Sequence, residues 1–320
     1  MHISFTQKGE TIMGNKLKHI FIVEASDYCK CNIDDLNEQL KEKKDFDYML
    51  YMRSFIGKET DIVKKCCMLF RKENLRFYAC GNFEMVEGII KGLDSFENRE
   101  VAFCPLGNKK GMLKNFEKNY VNFKIDALIN GEVKCIDYVD AGDICMTNYA
   151  SVGAMSNAIN DLNVLNGIEI EENKNFFKKA KMFVKIAKNI FISMNEKLEI
   201  TIDDEKREDS YSLAHIANGA SLSNKSKDEE SLEDGVLEYI LVKKCSLLKK
   251  LQIIKKMIKG NLTPIDDMVY IGCCKKFSIE EKHGKNVIMS YDGRSEKRSK
   301  LEGNVKNKMV KIVVPQPEKI

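Results

Sequence analysis

Arg76-Phe77-Tyr78-Ala79-Cys80-Gly81-Asn82-Phe83-Glu84-Met85-Val86-Glu87 reads as a short apolar strand, a glycine turn and the opening of a helix. Such a turn places backbone N–H groups and the positive end of a helix where a phosphate can be held. Alone the signal is weak. It gains weight because the next strand ends in a second turn, Phe103-Cys104-Pro105-Leu106-Gly107-Asn108. Two turns at the carboxyl ends of adjacent strands would share the crevice in which open α/β sheets bind ligands. Further strands are expected over 18–23, 47–52 and 100–104, and helices over 33–44, 59–72 and 83–91. In the second helix Ile62, Cys66 and Leu69 recur at helical spacing. This alternation is the signature of a parallel sheet with crossover helices.

Beyond about Cys135 the pattern changes. Extended runs over 134–139, 144–148, 198–202, 213–218, 237–242, 268–273, 287–290 and 309–314 predict an antiparallel β domain. One long helix is expected where Phe176, Ala180, Phe183, Ala187 and Ile190 recur every three or four residues, and a polar loop over 221–233. The domains are placed at 15–134 and 135–320. With 320 residues, 43% of them apolar, the chain can bury two cores. Its apolar runs stop far short of the ~20 residues of a membrane span. The start, Met1-His2-Ile3-Ser4, lacks a secretory pattern, so a cytoplasmic protein is expected. Eleven cysteines, an odd number with adjacent pairs at 66–67 and 273–274, read as reduced thiols. A net charge of +4 makes no case for nucleic acid. The last forty residues are more basic, which suits either a solvated face or an anionic membrane surface.

Six short patterns occur in a fixed order: Cys80 to Glu87, Pro105 to Met112, Ile136-Asp137, then Asn148 with Ser151 and Gly153, Asn218-Gly219, and Ser231 with Asp234, Gly235 and Val236. Together they resemble the diacylglycerol kinase and bacterial lipid kinase family, whose motifs run G-G-D-G-T-x-x-E, P-L-G-T-x-N-D-F, I-D, N-x-x-S-x-G, N-G and S-x-x-D-G. The resemblance covers nearly the whole chain. It implies an α/β plus β architecture: a Rossmann-like parallel-sheet nucleotide-binding domain over 15–134 and an antiparallel β-sandwich for the lipid over 135–320. The implied reaction is ATP-dependent phosphorylation of a lipid hydroxyl such as that of diacylglycerol, with ATP and Mg as cofactors. The implied nucleotide contacts are Gly81, Asn82, Glu87, Gly107, Asn108, Lys109 and Lys110. Ser231, Asp234 and the carbonyl of Val236 match a structural magnesium site, although an Asp-Gly turn before a strand reads equally well there. The implied partner is a membrane lipid, as substrate or ligand, with peripheral membrane contact; a homodimer is one option for the oligomeric state. The distantly related NAD kinases expect an Asn-Glu pair that Asp126 to Gly131 does not provide.

The departures fall on the chemistry. The motif's Asp, Gly and Thr are Asn82, Phe83 and Glu84, and the first-strand N-P-x-S-G is Glu24-Ala25-Ser26-Asp27-Tyr28. In the second turn Asn108 and Gly111 replace Thr and Asp. A carboxylate about 4 Å from a phosphate, at an effective dielectric near 20, costs on the order of 4 kcal/mol. The family's D-G-E, whose Glu is the implied base, reads Asp292-Gly293-Arg294. An arginine accepts no proton, which leaves Asp292 and Glu296 as the candidate catalytic carboxylates. The expectation is a lipid kinase by descent with impaired transfer; the alternative is a pseudokinase that binds a lipid or nucleotide.

Overall fold

The computed structural model describes residues 17–24, 30–43, 46–96, 99–106, 124–153, 156–157, 196–219, 232–258, 262–265 and 267–316. The helix expected over 176–190 and the loop over 221–231 lie outside the described residues. The chain divides into unit 1, residues 1–136 and 308–320, and unit 2, residues 137–307.

Unit 1 alternates strands and helices: β1 Leu17–Glu24, α1 Lys30–Lys41, β2 Tyr48–Arg53, α2 Lys58–Leu69, β3 Asn74–Gly81, α3 Glu84–Leu93, β4 Arg99–Pro105 and α4 Ile125–Ile129. β1 lies between β2 and β3, β3 pairs with β4, and all three pairings are parallel. The inner strands β1 and β3 are near-continuous apolar runs, as expected of strands covered on both faces. On α1, Ile33, Leu36 and Leu40 are buried at helical spacing in one core with Phe21, Tyr78, Ala102 and Val313.

The order of strands turns at β1: the chain passes to β2 on one side and then to β3 on the other. This switch point lies between β1 and β3, whose carboxyl ends are Glu24 and Gly81.

Two expectations need correction. On α2 the buried positions are Glu59, Val63, Cys66 and Cys67, whereas Leu69 is 73% exposed. The cause is the partner helix. A Cβ at Gly92 of α3 would stand 2.8 Å from the Val63 Cβ, and the Thr60 hydroxyl donates to the Gly88 carbonyl at 2.8 Å. Glycines at 88 and 92, one turn apart, let α2 approach on that side. The second correction concerns the C-terminus: residues 308–320 belong to unit 1, not to the second domain. Lys311–Val313 pair in parallel with Glu100–Ala102, adding a strand beyond β4.

Unit 2 is antiparallel. β5 Glu132–Ala141 leads into it, followed by β6 Ile144–Met146, β7 Tyr149–Gly153, β8 Glu196–Ile202, β9 Glu205–Ala217, β10 Leu237–Lys243, helix α5 Leu247–Ile258, β11 Val269–Cys274, β12 Lys276–Glu281, β13 Val287–Tyr291, β14 Arg294–Arg298 and β15 Lys300–Val314, whose end from Lys308 belongs to unit 1. β9 is long enough to change partners: its first half pairs with β8, and its second half lies between β7 and β10. Ile200, Tyr211, Leu241, Phe277, Ile279, Met289 and Tyr291, from five of these strands, share one core. α5 packs Ile253 on a smaller cluster with Leu213, Ile240, Val242 and Val269.

The interior of unit 1 also makes it acid-sensitive. His19 of β1 is buried, its Nδ1 lies 2.7 Å from the Tyr78 hydroxyl, and burial, aided by the Arg76 charge, lowers its pKa from 6.5 to about 4. The unfolded chain takes this proton near pH 6.5 and the folded chain only near pH 4. The stabilisation is therefore complete above pH 6.5 and is lost as the pH falls toward 4, by about 3 kcal/mol. Urea unfolding across this window should show a steeper loss for the native chain than for His19→Gln; parallel losses would contradict the assignment.

Candidate functional site

The sequence-predicted residues fall into two groups, one in each unit. In unit 1 the turn forms where expected: β3 ends at Gly81 in register with Pro105, and α3 opens at Glu84. Leu106 follows β4 on the same edge of the sheet; Gly107, Asn108, Lys109 and Lys110 lie outside the described residues.

The turn is closed by its own chain. The N–H of Met85 donates to the Asn82 carbonyl at 3.2 Å and that of Val86 to the Phe83 carbonyl at 2.9 Å, so these two donors at the helix start are used internally. Phe83 is buried and packs edge-on against Phe103, ring centroids 5.2 Å apart, where the family motif has a glycine. Glu87 is buried on α3. Asn82 Oδ1 is buried with no hydrogen-bond partner among the described residues.

Next to the switch point, at the end of β2, stands an arginine that the motifs do not contain. Arg53, the last residue of β2, donates to Glu24 at 2.7 Å and to Glu59 at 3.3 Å, and the side chains of Arg53 and Glu59 are each only 2% exposed. Glu24 thereby lies over the end of β3, its Oε2 3.0 Å from where a Cβ on Gly81 would stand. A phosphate approaching Gly81 meets a carboxylate that already holds the nearest buried cation. Two acids share one arginine, which leaves the cluster formally at −1. The residues present do not fit the phosphates of ATP in the pose that the motif implies.

In unit 2 the motif residues converge on one buried network. Asp292 opens the two-residue turn between β13 and β14, and its carboxylate faces the Thr147–Tyr149 segment. Oδ2 accepts from the Thr147 N–H at 2.6 Å and its hydroxyl at 3.1 Å; Oδ1 accepts from the N–H groups of Asn148 and Tyr149, each at 2.9 Å. The same segment binds Asn218, whose N–H donates to the Asn148 carbonyl at 2.7 Å. Asn218 Nδ2 donates to the carbonyls of Thr147 at 3.1 Å and Asp137 at 2.9 Å. Asp137, fully buried, accepts from the Gly235 N–H at 2.6 Å. Ser151 donates to the Ala214 carbonyl at 3.2 Å. The I-D, N-x-x-S-x-G, N-G, D-G and final D-G elements are thus one scaffold.

This corrects the assignment of Asp292 as a candidate base. It accepts four hydrogen bonds and is wholly buried, with burial pushing its carboxyl up against the effect of those bonds. Arg294 lies over the Tyr291 ring, 4.8 Å from the centroid. Glu296 on β14 is the accessible carboxylate of this hairpin. It accepts from the Tyr291 hydroxyl and from Arg298 at 3.0 Å, and these bonds outweigh burial and hold it below the usual carboxylate range.

At the candidate magnesium position Ser231 is outside the described residues. Asp234 is exposed, and its Oδ1 accepts from the Val236 N–H at 2.9 Å, the bond of a local Asp turn. Val236 lines an open depression of about 520 Å³ with Asp203, Cys274, Lys276 and Asn304. Four cations of the basic C-terminal stretch are ion-paired: Lys282 with Glu199 and Glu208, Arg298 with Asp143, Lys300 with Glu302, and Lys306 with Asp140. Among the described residues no helix is long and apolar enough to cross a membrane.

No protein-family model matches this sequence, and no curated protein does. Solved structures do. A chain described as a "putative diacylglycerol kinase from Bacillus anthracis str. Sterne" is 18% identical, with a TM-score of 0.57 over 99% of this chain and 100% of that one. A second with the same description is 16% identical, with a TM-score of 0.61 over 97% and 100%. A third, described as one of the diacylglycerol kinases of that organism, is 16% identical, with a TM-score of 0.55 over 97% and 100%. The likeness establishes a shared fold along nearly the full length of the chain.

Proposed function

We propose that this chain is a diverged member of the diacylglycerol kinase and bacterial lipid kinase family that has kept the fold and lost phosphoryl transfer from Mg-ATP, working instead as a pseudokinase that binds a lipid or nucleotide. In this reading unit 1 is the Rossmann-like nucleotide domain and unit 2 the β-sandwich that meets the lipid. The motif order supports the descent, and so does the shared fold with chains described as diacylglycerol kinases. The observation that carries the loss is Glu24 on Gly81, held there by buried Arg53. Phosphoryl transfer is mostly positioning and charge stabilisation around the phosphates, and a fixed carboxylate at their cradle opposes both.

Phe83 deepens the loss, because it is core: returning it to glycine would forfeit about 3 to 5 kcal/mol of packing. Transfer of labelled phosphate from Mg-ATP into a mixed lipid extract tests the reading, with background incorporation expected for the native chain.

A second reading is an active lipid kinase. It is favoured by Glu296, which is ionised, partly exposed and two residues beyond the family's base position. Such an enzyme would lose transfer on Glu296→Gln, a change to which the inactive reading is indifferent.

A further inference from the structure

Eight large apolar side chains stand exposed among the described residues, and five of them, Met52, Phe55, Ile56, Met68 and Leu69, fall between positions 52 and 69. Phe55 and Ile56 form the bend before α2 and are 63% and 65% exposed. On α2 the exposed positions are 61, 64, 65, 68 and 69, spaced by three and four, so they share one face. That face runs from Asp61 through Lys64 and Lys65 to Met68 and Leu69, with the Phe55-Ile56 bend before the helix and Arg71 and Lys72 directly after it. None of these four cations has an ion-pair partner among the described residues. The neighbouring acids are spent: Glu59 is buried on Arg53, Asp61 pairs with Lys58 and Glu73 with Lys18.

A helix that must simply stay in water has no use for exposed Phe, Ile, Met and Leu. A protein-facing patch is normally depleted of lysine at its centre, whereas a bilayer surface accepts apolar side chains below its headgroups and lysines among its phosphates. We propose that the outer face of α2, with the Phe55-Ile56 bend, docks on an anionic membrane surface. The proposal deepens the lipid reading by naming where unit 1 would meet the bilayer, and it shifts the membrane contact away from the C-terminal basic stretch, where Lys282, Arg298, Lys300 and Lys306 are paired within unit 2. Docking needs neither nucleotide nor transfer, so an inactive kinase would still show it.

Flotation of the full chain with vesicles tests this without nucleotide. Vesicles of phosphatidylcholine mixed with phosphatidylglycerol should carry the protein up, those of phosphatidylcholine alone should not, and added salt should release it. The double variant Lys64→Gln/Lys65→Gln should bind roughly 25-fold more weakly, at roughly fivefold per lysine. Phe55→Ser/Ile56→Ser should lose most binding, with circular dichroism and melting unchanged, since these side chains are already in water. Lys300→Gln is the control and should bind like the native chain. The proposal is overturned if neutral vesicles bind equally, if the variants bind as the native chain does, or if light scattering finds a dimer that the Phe55→Ser/Ile56→Ser variant alone dissolves.

Discussion

Asp292→Ala is expected to destabilise unit 2 by about 4 kcal/mol or more, the largest effect of any single substitution in the network. The change strands four donors, the N–H groups of residues 147, 148 and 149 and the Thr147 hydroxyl, in a largely buried site. Each unsatisfied donor costs about 1 to 3 kcal/mol, and water entering the vacated space recovers part of this. The turn adds to it: Asp292 at φ 43° and Gly293 at φ 80° are both left-handed, and alanine tolerates that region less well than aspartate, by about 1 kcal/mol. Against a typical total of about 5 to 15 kcal/mol, much of the folded population is at risk. Asp292→Asn, which keeps one acceptor oxygen, should lose about half as much. Urea unfolding of unit 2 measures both. Native-like stability of Asp292→Ala would mean that its carboxylate is not a scaffold group, and would return it to the list of bases.

Arg53→Leu is expected to cost about 3 to 5 kcal/mol in unit 1, because it leaves Glu24 and Glu59 facing each other without their shared cation. Glu59→Gln on that background should recover a large part, since Glu59 is the more deeply buried of the two acids. Glu24→Gly removes one acid and leaves a neutral Arg53–Glu59 pair, so it should unfold close to the native midpoint while freeing the guanidinium toward Gly81. Inorganic pyrophosphate should then raise the melting temperature of Glu24→Gly and not of the native chain. If Arg53→Leu unfolds within about 1 kcal/mol of the native protein, the cluster is not the structural anchor described, and Glu24 is free to move aside for a phosphate.

The parallel half was legible because its inner strands are buried on both faces and therefore read as unbroken apolar runs, as in Ile20–Val23 and Phe77–Cys80. The turn after β3 was legible from the glycine between an apolar strand and a helix start, and that glycine also leaves room for Glu24. Contacts between distant residues were not. The run near 309–314 announces a strand, but nothing local tells it to join β4 rather than an antiparallel neighbour. Arg53 carries no motif, and only the pairing of β1 with β2, Glu24 opposite Arg53, reveals its partner. The buried face of α2 was displaced because glycines on α3 set it. α5 had a readable signal that was missed: Leu247, Leu251, Ile254 and Ile258 recur at spacings of four, three and four.

The site divided along the same line. Asp137, Asn148, Asn218, Gly235 and Asp292 proved to be partners in one hydrogen-bond network, so their presence in the sequence speaks for the fold. Asp292 is a candidate base in the sequence because it lies beside the family's base position, which Arg294 occupies. Its four donors come from a segment more than 140 positions away.

Glu24 at the switch point is the group that opposes phosphoryl transfer. The direct measurement is incorporation of labelled phosphate from Mg-ATP into diacylglycerol in mixed micelles, for the native chain, for Glu24→Gly, and for a variant with Asn82→Asp, Glu84→Thr and Arg294→Glu added to Glu24→Gly. Background incorporation is expected for the first two and measurable transfer only for the last. Robust transfer by the native chain, abolished by Glu296→Gln, would contradict this and establish an active kinase that has moved its base.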